Sequence, residues 1–431
     1  MERKLYAKLL AWKENEQRKP LLVQGARQVG KTYLLLTFAQ REYGSYVYCN
    51  FEKEPFLQEF FDDLSPKSIV EKIALAKRKE IVPGKTLILF DEIQACPAAL
   101  TSLKYFCEEA PEYPVVASGS LLGVAVHRES VSFPVGKIET LPLYPLDFEE
   151  YLNAKGESDL VSLIKDGYAT NTPLPRAFHE RALSLYREYL YVGGMPEAVE
   201  RFIQTGNREL VRLTQNAILE GYQDDMAKYN RQSEIPKTRI VYKTIGVQLS
   251  KENHKFQYKT IKKSGRASEF ESAIEWLCLS GLANQLFRLE QVHLPLNAFR
   301  CLSDFKFFLS DVGLLGASQD IRFEDIFNET SWLDAFKGGM TENYVFNQLT
   351  FRGLSAFYWT SQSQAEVDFI LRLGEDIVPI EVKSSLNTRS LSLDVYRKRF
   401  APAYAIRISP KNFGFDNGIK SVPLYAVFCI A

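Results

Sequence analysis

An eight-residue segment near the N-terminus has the glycine spacing and the Lys-Thr ending of a phosphate-binding loop. It follows an apolar run and precedes a helical pattern, so its backbone N–H groups and the N-terminus of the helix would converge on phosphate oxygens. Lys31 would reach the β- and γ-phosphates and the Thr32 hydroxyl would bind Mg²⁺, which predicts ATP and Mg²⁺ as cofactors. For Arg27, packing against its own sheet is the alternative to contact with nucleotide. The predicted nucleotide-binding residues are Gly25, Ala26, Arg27, Gln28, Val29, Gly30, Lys31 and Thr32.

Two carboxylates, Asp91 and Glu92, follow the apolar segment Thr86–Phe90. At the end of a parallel strand, Asp91 would lie beside Mg²⁺ and Glu92 would act on the water that attacks the γ-phosphate. Alone, such a pair equally describes a solvated sheet edge or a helix N-cap, but together with the phosphate loop it favours ATP hydrolysis. We expect the two motifs on adjacent strands, because doubly wound sheets place ligands at the carboxyl ends of their strands.

Two serines, Ser118 and Ser120, follow a third apolar segment, Pro114–Ala117. Either hydroxyl would sense the γ-phosphate or hold the attacking water. The alternative is a serine-glycine turn that caps the next helix. Three strands that end in polar groups are typical of nucleotide hydrolysis, and this layout resembles the AAA+ superfamily, in which a helical lid follows the ATPase core.

A second group of charged residues lies near the C-terminus. Asp368 belongs to an alternating segment, and Glu381 and Lys383 share one face of the next strand because side chains repeat every second residue. Two carboxylates and a lysine predict a Mg²⁺ site that acts on a phosphodiester, with Asp368, Glu381 and Lys383 as catalytic candidates. The pattern resembles the restriction-endonuclease-like core, which often carries a further acidic metal ligand upstream, here Glu342. The alternative is a half-exposed strand with one charged face.

A basic segment occupies residues 251–266, with aromatic Phe256 and Tyr258 between its charges and Glu252 as its one acidic residue. It precedes a helical pattern at Ala267–Leu279, where a winged helix would place its recognition helix, so contact with nucleic acid is predicted, with DNA favoured over RNA. A solvated loop or a surface that docks another domain is the alternative. The basic residues are Lys251, Lys255, Lys259, Lys262, Lys263 and Arg266.

Strand and helix patterns divide the chain into four predicted segments. The fold class is α/β: a P-loop parallel-sheet ATPase core at residues 1–150, a helical lid at 151–234, a winged-helix-like segment at 235–320 and a restriction-endonuclease-like α/β domain at 321–431. The predicted strands of the core are Leu21–Gln24, Tyr46–Asn50, Thr86–Phe90, Pro114–Ala117 and a fifth near Ile138–Leu141. Further predicted elements are helices Arg176–Leu190 and Arg208–Tyr229, a hairpin of Leu282–Leu289 with Leu294–Phe299, and C-terminal strands Phe357–Trp359, Val367–Leu371, Ile377–Val382 and Tyr404–Ile408.

The composition of the 431 residues narrows the class of protein. With 53 basic and 53 acidic side chains the net charge is zero, so attraction to nucleic acid must come from local clusters. The six cysteines are scattered without a C-x-x-C pair, which excludes a zinc-finger pattern and indicates a reducing cytoplasm. Met1–Pro20 has the pattern of an amphipathic helix with Leu5, Leu9 and Trp12 on one face, and no apolar run is long enough to predict a membrane span.

Motifs along the whole chain resemble an uncharacterised family of prokaryotic AAA-type ATPases. They are the phosphate loop, Asp91–Gln94, Ser118–Ser120, Pro145–Tyr151 and Gly193–Ala198. The resemblance implies ATP hydrolysis, a winged helix and a nuclease-like C-terminal domain, and it is compatible with a homo-oligomer. Such proteins commonly carry Gly-Arg where this chain has Gly136-Lys137, and lysine supplies charge without the bidentate fork of an arginine finger.

Two functions remain open at the level of sequence. In the first, the chain is an ATP-driven, DNA-associated machine whose C-terminal domain binds or cuts nucleic acid. In the second, it is a nucleotide-gated switch or signalling protein whose nuclease-like domain is an inactive interaction module. Both use the same ATP site, and they differ in the chemistry of Asp368, Glu381 and Lys383.

Overall fold

A computed structural model describes residues 1–120, 134, 136–251, 254–327, 334–361, 365–386 and 391–431, with the backbone alone described at 229 and 334. These residues form two compact units. The first contains Met1–Tyr144 and Leu279–Gly281, and the second contains Pro145–Cys278 and Leu282–Ala431.

The first unit is built on a parallel sheet of five strands, in the order β2-β3-β4-β1-β5. Every residue of β1, β3 and β4 is buried, as expected for strands covered by helices on both faces. The strands are β1 (Leu21–Gly25), β2 (Ser45–Asn50), β3 (Thr86–Asp91), β4 (Val115–Ser120) and β5 (Glu139–Pro142). All five predicted strands are confirmed, and the largest shift of an end is in β4, which continues to Ser120.

The prediction that the phosphate loop and the Asp91 motif lie on adjacent strands is wrong. One edge of β1 pairs with β4, where Val23 is opposite Ser118, and its other edge pairs with β5. The far edge of β4 pairs with β3, where Leu89 is opposite Val116. Because both edges of β1 are occupied, β4 lies between the strand of the loop and the strand of Asp91.

Helices flank this sheet and bury apolar residues against it. The predicted N-terminal amphipathic helix is confirmed, since Leu5, Leu9 and Trp12 are its buried residues. A layer of aromatic rings fills the core on one side of the sheet, where Phe61 and Phe90 meet edge to face at 5.5 Å. The helices are α1 (Leu5–Glu14), α2 (Lys31–Glu42), α3 (Pro66–Lys77) and α4 (Pro97–Glu109), with 3₁₀ turns at Pro55–Phe61 and Ile93–Ala95.

The second unit begins with a run of helices. Asp147 caps the first of them through a capping box with Glu150, and the predicted helices at Arg176 and Arg208 are confirmed. The helices are α5 (Phe148–Ala154), α6 (Ser158–Thr170), α7 (Arg176–Val192), α8 (Pro196–Thr205), α9 (Arg208–Tyr229), α10 (Ile235–Leu249), α11 (Tyr258–Ile261), α12 (Ala267–Leu279), α13 (Val312–Ser318), α14 (Phe323–Phe327), α15 (Asp334–Phe351) and α16 (Leu391–Phe400).

An eight-stranded mixed sheet completes this unit, in the order β12-β13-β11-β10-β9-β8-β6-β7. The strands are β6 (Ala283–Leu289), β7 (Arg300–Leu309), β8 (Ala356–Thr360), β9 (Glu366–Leu373), β10 (Asp376–Val382), β11 (Ala405–Ser409), β12 (Gly414–Asp416) and β13 (Ile419–Pro423). Short 3₁₀ helices occur at Leu296–Phe299 and Leu424–Cys429. The four predicted C-terminal strands are confirmed as β8, β9, β10 and β11.

The predicted hairpin is correct in its first strand and wrong in its second. The predicted segment Leu294–Phe299 contains a 3₁₀ helix at Leu296–Phe299 instead of a strand, and the strand opposite β6 is β7. Pro295 has no backbone N–H to give to a ladder, so the return strand starts only at Arg300. The hairpin joins the C-terminal sheet through the pairing of β6 with β8, so this predicted wing and the nuclease-like strands share one sheet.

Candidate functional sites

The backbone of the phosphate loop has a shape that only particular residues allow. A Cβ atom on Gly25 would lie 2.3 Å from the carbonyl oxygen of Leu143, so this position has no room for a side chain. Gly30 has a φ of 92°, in the left-handed region that favours glycine. The loop therefore turns sharply between β1 and α2 and directs the first N–H groups of α2 along the axis on which an anion would bind.

Lys31, the first residue of α2, is 7% exposed. Its ammonium donates hydrogen bonds to the carbonyl oxygens of Gly25 and Ala26, at 3.0 and 2.9 Å. A buried ammonium needs such partners, because burial without them is costly. These contacts hold the Lys31 side chain against the loop.

Asp91 is the centre of a hydrogen-bond network at the carboxyl ends of the strands. The Thr32 hydroxyl donates to Asp91 Oδ2 at 3.0 Å, and the Ser118 hydroxyl donates to Asp91 Oδ1. Asp91 is 4% exposed, and a buried carboxylate is stable here because several donors face it. The structure thus brings together three residues that the sequence assigned to one site, one each from α2, β3 and β4.

Two members of this network were missed by the sequence analysis. The Tyr48 hydroxyl donates to Asp91 Oδ2 at 2.6 Å, and the Asn50 amide contacts the same oxygen at 3.3 Å. Burial and the hydrogen bond to Asp91 raise the pKa of Tyr48, so the phenol remains a donor at neutral pH. Asn50 is opposite Asp91 in the pairing of β2 with β3. The end of the predicted strand Tyr46–Asn50 was the signal that could have identified Asn50.

Glu92 has φ 51° and ψ 47°, an uncommon left-handed conformation for a residue other than glycine. Its Oε2 accepts a hydrogen bond from the side-chain amide of Gln94. The other end of that amide, Oε1, accepts from the backbone N–H of Ser120 at 3.3 Å. Both predicted serines lie within β4, with the Ser118 side chain on Asp91 and the Ser120 backbone on Gln94.

Two basic residues with predicted roles near the nucleotide lie on the surface of this unit. Arg27 Nη2 is 3.6 Å from Glu52 Oε1, and Lys137 Nζ is 2.9 Å from Glu108 Oε1. The hydrogen bond with Glu108 raises the pKa of Lys137. Lys137 therefore holds its charge on a local acidic partner.

In the second unit, Asp368 of β9 and Glu381 of β10 lie on neighbouring antiparallel strands. Asp368 Oδ2 accepts the backbone N–H of Val382 at 2.7 Å. Burial, followed by the negative charges of Glu381 and Glu342, raises the pKa of Asp368 well above its usual range. Lys383 Nζ bonds Glu381 Oε1 at 2.7 Å, whereas the buried Glu381 Oε2 has no hydrogen-bond partner among the described residues.

The third predicted carboxylate, Glu342 of α15, is held by a histidine and a lysine. His254 Nδ1 is 3.0 Å from Glu342 Oε1, and Lys306 Nζ is 3.0 Å from Glu342 Oε2. Burial alone would raise the pKa of Glu342, but Lys306 and His254 outweigh it and lower the pKa to about 2. The completely buried Lys306 also contacts Glu366 Oε1 at 2.6 Å.

His254, Lys306 and Glu366 were missed because they belong to different segments of the chain. Burial would lower the pKa of Lys306, but Glu342, Glu366 and Asp368 raise it, so the ammonium remains charged. The sequence carried one signal, a lysine between phenylalanines in the run Phe305–Phe308. A lysine on the buried face of an apolar strand must find acidic partners.

Two features of this carboxylate cluster bear on the predicted metal site. Within the described ranges, no three His, Cys, Asp or Glu side chains are arranged as a metal-binding group. Glu381 Oε2 has no hydrogen-bond partner among the described residues, and burial and two neighbouring carboxylates disfavour the charged form of Asp368. A bound cation would relieve both, since hard oxygen donors suit Mg²⁺. Asp368 and Glu381 are therefore the two side chains that a metal would use here, while Lys306 and His254 engage Glu342.

The basic segment of residues 251–266 is only partly free for a partner, and its Glu252 lies outside the described residues. Lys255 bonds Asp304 at 2.8 Å and Lys262 bonds Glu269 at 3.1 Å. Phe256 is buried and stacks on Phe305 with ring centroids 5.3 Å apart, so it packs in the core and does not offer a face to a base. The exposed basic residues of the segment are Lys255, Lys259, Lys262, Lys263 and Arg266.

Three regions of the chain match known protein families. Residues 17–152 match the AAA domain family, residues 183–325 match a domain of unknown function (DUF8612), and residues 337–427 match another domain of unknown function (DUF4143). No curated protein matches the chain. No helix within the described part of the chain has the length and apolar character needed to cross a membrane.

Three of the solved structures that match this chain are each of low sequence identity. A Walker-type ATPase of Pyrococcus abyssi is 14% identical, with 74% of this chain and 95% of that chain covered and a TM-score of 0.44. The ORC1 protein of Aeropyrum pernix, in complex with DNA, is 14% identical over 76% and 93% of the two chains, with a TM-score of 0.27. A signal transduction ATPase with numerous domains from Pyrococcus horikoshii, which has a tetratricopeptide repeat sensor, is 12% identical over 82% and 45%, with a TM-score of 0.26.

Proposed function

Because residues 17–152 match the AAA domain family and the chain is an ATPase, we propose that Lys31, Thr32, Asp91 and Glu92 carry out hydrolysis of Mg²⁺-ATP. We further propose that a conformational change driven by ATP hydrolysis acts on nucleic acid through the second unit, with DNA favoured over RNA. The observation that carries the first part is the network at Asp91, which receives hydroxyl groups from both α2 and β4.

Each residue of the ATP site has a role that its geometry supports. Lys31 and the N–H groups of the loop bind the β- and γ-phosphates, and Thr32 and Asp91 hold the metal. Bound Mg²⁺ neutralises charge on the phosphate oxygens. Glu92 orients and deprotonates the attacking water, and Ser118 fixes the Asp91 carboxylate. Tyr48 and Asn50 hold the same carboxylate from the side of β2.

Three substitutions separate binding from chemistry at this site. We expect Lys31→Ala to abolish ATP binding, and we expect Asp91→Asn and Glu92→Gln to bind ATP with a loss of kcat of roughly 100-fold or more. Ser102→Ala is a matched control, because Ser102 is a buried serine of the same unit whose hydroxyl bonds only within α4, to Ala99 at 2.8 Å. If Glu92→Gln hydrolyses ATP with the kcat of the unmodified protein, Glu92 does not have the proposed role.

For the second unit, we propose that Asp368, Glu381 and Lys383 act on phosphodiesters with a bound Mg²⁺. The metal would polarise a phosphate oxygen, Asp368 and Glu381 would hold it, and Lys383 would orient the attacking water. Glu342 would be a further ligand if it were released from Lys306. The exposed Lys259, Lys263 and Arg266 supply charge for a nucleic-acid backbone.

A second candidate function is supported by the ion pairs of this same cluster. Glu342 bonds Lys306 and Glu381 bonds Lys383, so two of the three predicted metal ligands are each paired with a lysine of the same chain. In this alternative the C-terminal sheet is an inactive interaction module, and the chain is a nucleotide-gated switch. The predicted segments 151–234, 235–320 and 321–431 would then act together as the output of the switch.

One assay distinguishes the two functions. The purified protein is incubated with supercoiled, linear and single-stranded DNA and Mg²⁺, with and without ATP, beside Asp368→Ala and Lys383→Ala. Cleavage that both substitutions abolish supports the phosphodiester site. Absence of cleavage, with ATP hydrolysis that Lys31→Ala removes, supports the switch.

The assembly and location of the protein follow as further proposals. All six cysteines are free thiols, which supports a reducing compartment and so the cytoplasm. We propose a homo-oligomer in which Lys137 supplies charge to a neighbouring nucleotide. Light scattering with and without a non-hydrolysable ATP analogue measures the assembly, and an unchanged monomer with full ATPase activity would contradict it.

A further inference from the structure

The 3₁₀ turn Ile93–Ala95, directly after the candidate base, contains a buried amide that neither proposed function uses. Gln94 is 4% exposed, and both polar ends of its side chain are engaged. The Nε2 end donates to Glu92 Oε2, and the Oε1 end accepts from Ser120 N at 3.3 Å. Gln94 thus connects the carboxylate after β3 to the last residue of β4.

The orientation of this amide is determined by its two neighbours. A backbone N–H can only donate, so the end of Gln94 that faces Ser120 must be the carbonyl oxygen. The NH₂ group then faces Glu92, where it bonds the ionised form of the carboxylate. The opposite orientation would place an NH₂ group against an N–H group and a carbonyl oxygen against a carboxylate, which are two repulsive contacts.

The backbone around Gln94 is fixed as well. Ile93 is completely buried, and the turn is closed by the hydrogen bonds Ala95 N to Glu92 O at 2.9 Å and Cys96 N to Ile93 O at 3.0 Å. Glu92 itself is half-buried and lies in the left-handed region. The hydrogen bond from Gln94 then holds one oxygen of the Glu92 carboxylate.

We propose that Gln94 is a positioning residue for ATP hydrolysis. It holds the Glu92 carboxylate in its productive orientation and links the position of that carboxylate to the end of β4. This inference rests on the proposed role of Glu92. Its consequence is a coupling between the two strands, because the same amide contacts the general base and the backbone of a predicted γ-phosphate sensor. A shift at Ser120 is transmitted to Glu92 through a single side chain.

Two substitutions of similar size test the proposal. Gln94→Leu keeps the volume and removes both hydrogen bonds, so we expect kcat to fall roughly 10- to 100-fold, a fraction of the roughly 100- to 10,000-fold that a general base contributes. KM for ATP and the Kd of a non-hydrolysable analogue should stay within about twofold, since the Gln94 side chain bonds Glu92 and Ser120, which lie outside the phosphate loop. Ser102→Ala, a buried serine of α4, is the control and should retain the kcat of the unmodified protein.

Gln94→Glu supplies a readout that a purely structural role would not affect. When protonated, the carboxyl group that this substitution introduces can donate to the Glu92 carboxylate as the amide does, whereas two ionised carboxylates repel each other. We expect the kcat of this variant, relative to the unmodified protein, to be highest at the acidic end of the pH profile and to fall as pH rises. Gln94→Leu should be equally impaired at every pH.

The outcomes separate this inference from the function on which it rests. If Glu92→Gln is inactive but Gln94→Leu and Gln94→Glu retain full kcat, the positioning role is wrong and the role of Glu92 stands. If Glu92→Gln is fully active, the assignment of the base fails first. A rise in kcat on loss of Gln94 would also overturn the proposal, because it would mean that the amide restrains Glu92. Should Gln94→Leu be too unstable to purify, the pH profile of Gln94→Glu decides.

Discussion

The Lys306 ammonium lies 3.0 Å from Glu342 Oε2, completely enclosed within the second unit. Lys306 comes from β7 and Glu342 from α15, so the pair joins the hairpin to the helix that precedes β8. Glu366 of β9 and His254 complete the surroundings of the pair. The hairpin therefore contributes a charge to the carboxylate cluster as well as two strands to the sheet.

Loss of the Lys306 charge should destabilise this unit. We expect Lys306→Met to lower the free energy of unfolding by about 3–5 kcal/mol, because removal of one partner leaves a buried carboxylate uncompensated. Lys306→Met combined with Glu342→Gln should recover part of that loss. Chemical denaturation of the four proteins of this cycle measures the coupling. Strictly additive effects of the two substitutions would show that the coupling free energy between Lys306 and Glu342 is zero.

The stability of this unit should depend on pH through Asp311. Burial raises the pKa of Asp311 to about 6, although its oxygens accept the N–H groups of Gly194 and Leu314. The folded protein therefore holds this proton more tightly than the unfolded chain, so stability falls as pH rises from about 4 to about 6 and is level above that. The shift corresponds to ~3 kcal/mol.

Unfolding by denaturant at several pH values tests this expectation. Asp311→Asn removes the titrating proton, so the difference in unfolding free energy between the variant and the unmodified protein should change with pH only between about 4 and about 6. A pH-independent difference would assign the proton uptake to another group, such as Asp368, whose pKa is also raised.

A pair of glycines in the first unit offers a matched test of the phosphate loop. A Cβ on Gly25 would lie 2.3 Å from a backbone oxygen, whereas a Cβ on Gly44 meets no atom within 4 Å. Gly25→Ala must displace the loop at a cost on the order of 1–3 kcal/mol, and if this cost falls on the ATP-bound state it corresponds to roughly a 5- to 150-fold loss of ATP affinity. Gly44→Ala should bind ATP normally. Calorimetric titration compares the two, and equal affinities would show that the loop accommodates the methyl group freely.

Tyr48 should influence the metal requirement of hydrolysis through Asp91. Tyr48→Phe removes the 2.6 Å hydrogen bond to the carboxylate, and loss of such an outer contact commonly weakens metal binding by about 10- to 100-fold. Tyr46→Phe, on the same strand, is the control, because its hydroxyl contacts Gln40 instead. The Mg²⁺ dependence of kcat at saturating ATP measures the effect. An identical Mg²⁺ dependence in the two variants would exclude Tyr48 from the metal site.

The sequence predicted those features that depend on short stretches of chain. Lys31 and Thr32 are adjacent, Asp91 ends its strand, and Lys383 lies two residues after Glu381, just beyond the end of β10, so the local sequence was sufficient to group them. The order of the strands was not local. β4 separates the loop strand from the Asp91 strand, a relationship that depends on which edges are already paired.

The residues that the sequence analysis missed share a physical reason. Tyr48, His254 and Lys306 contact carboxylates 43, 88 and 36 positions away, and no spacing rule connects such positions. The return strand of the hairpin was placed too early for a different reason. Leu294–Phe299 is apolar enough for a strand, but Pro295 and the turn that follows it outweigh that composition.

The pairing of β6 with β8 also restricts how this protein can be divided. A fragment that starts after β7 would leave the edge of β8 without a neighbour and remove the cation from Glu342 and Glu366. An unpaired sheet edge and uncompensated buried carboxylates both favour aggregation over folding. We therefore expect the hairpin and the C-terminal strands to fold and to be expressed as a single piece.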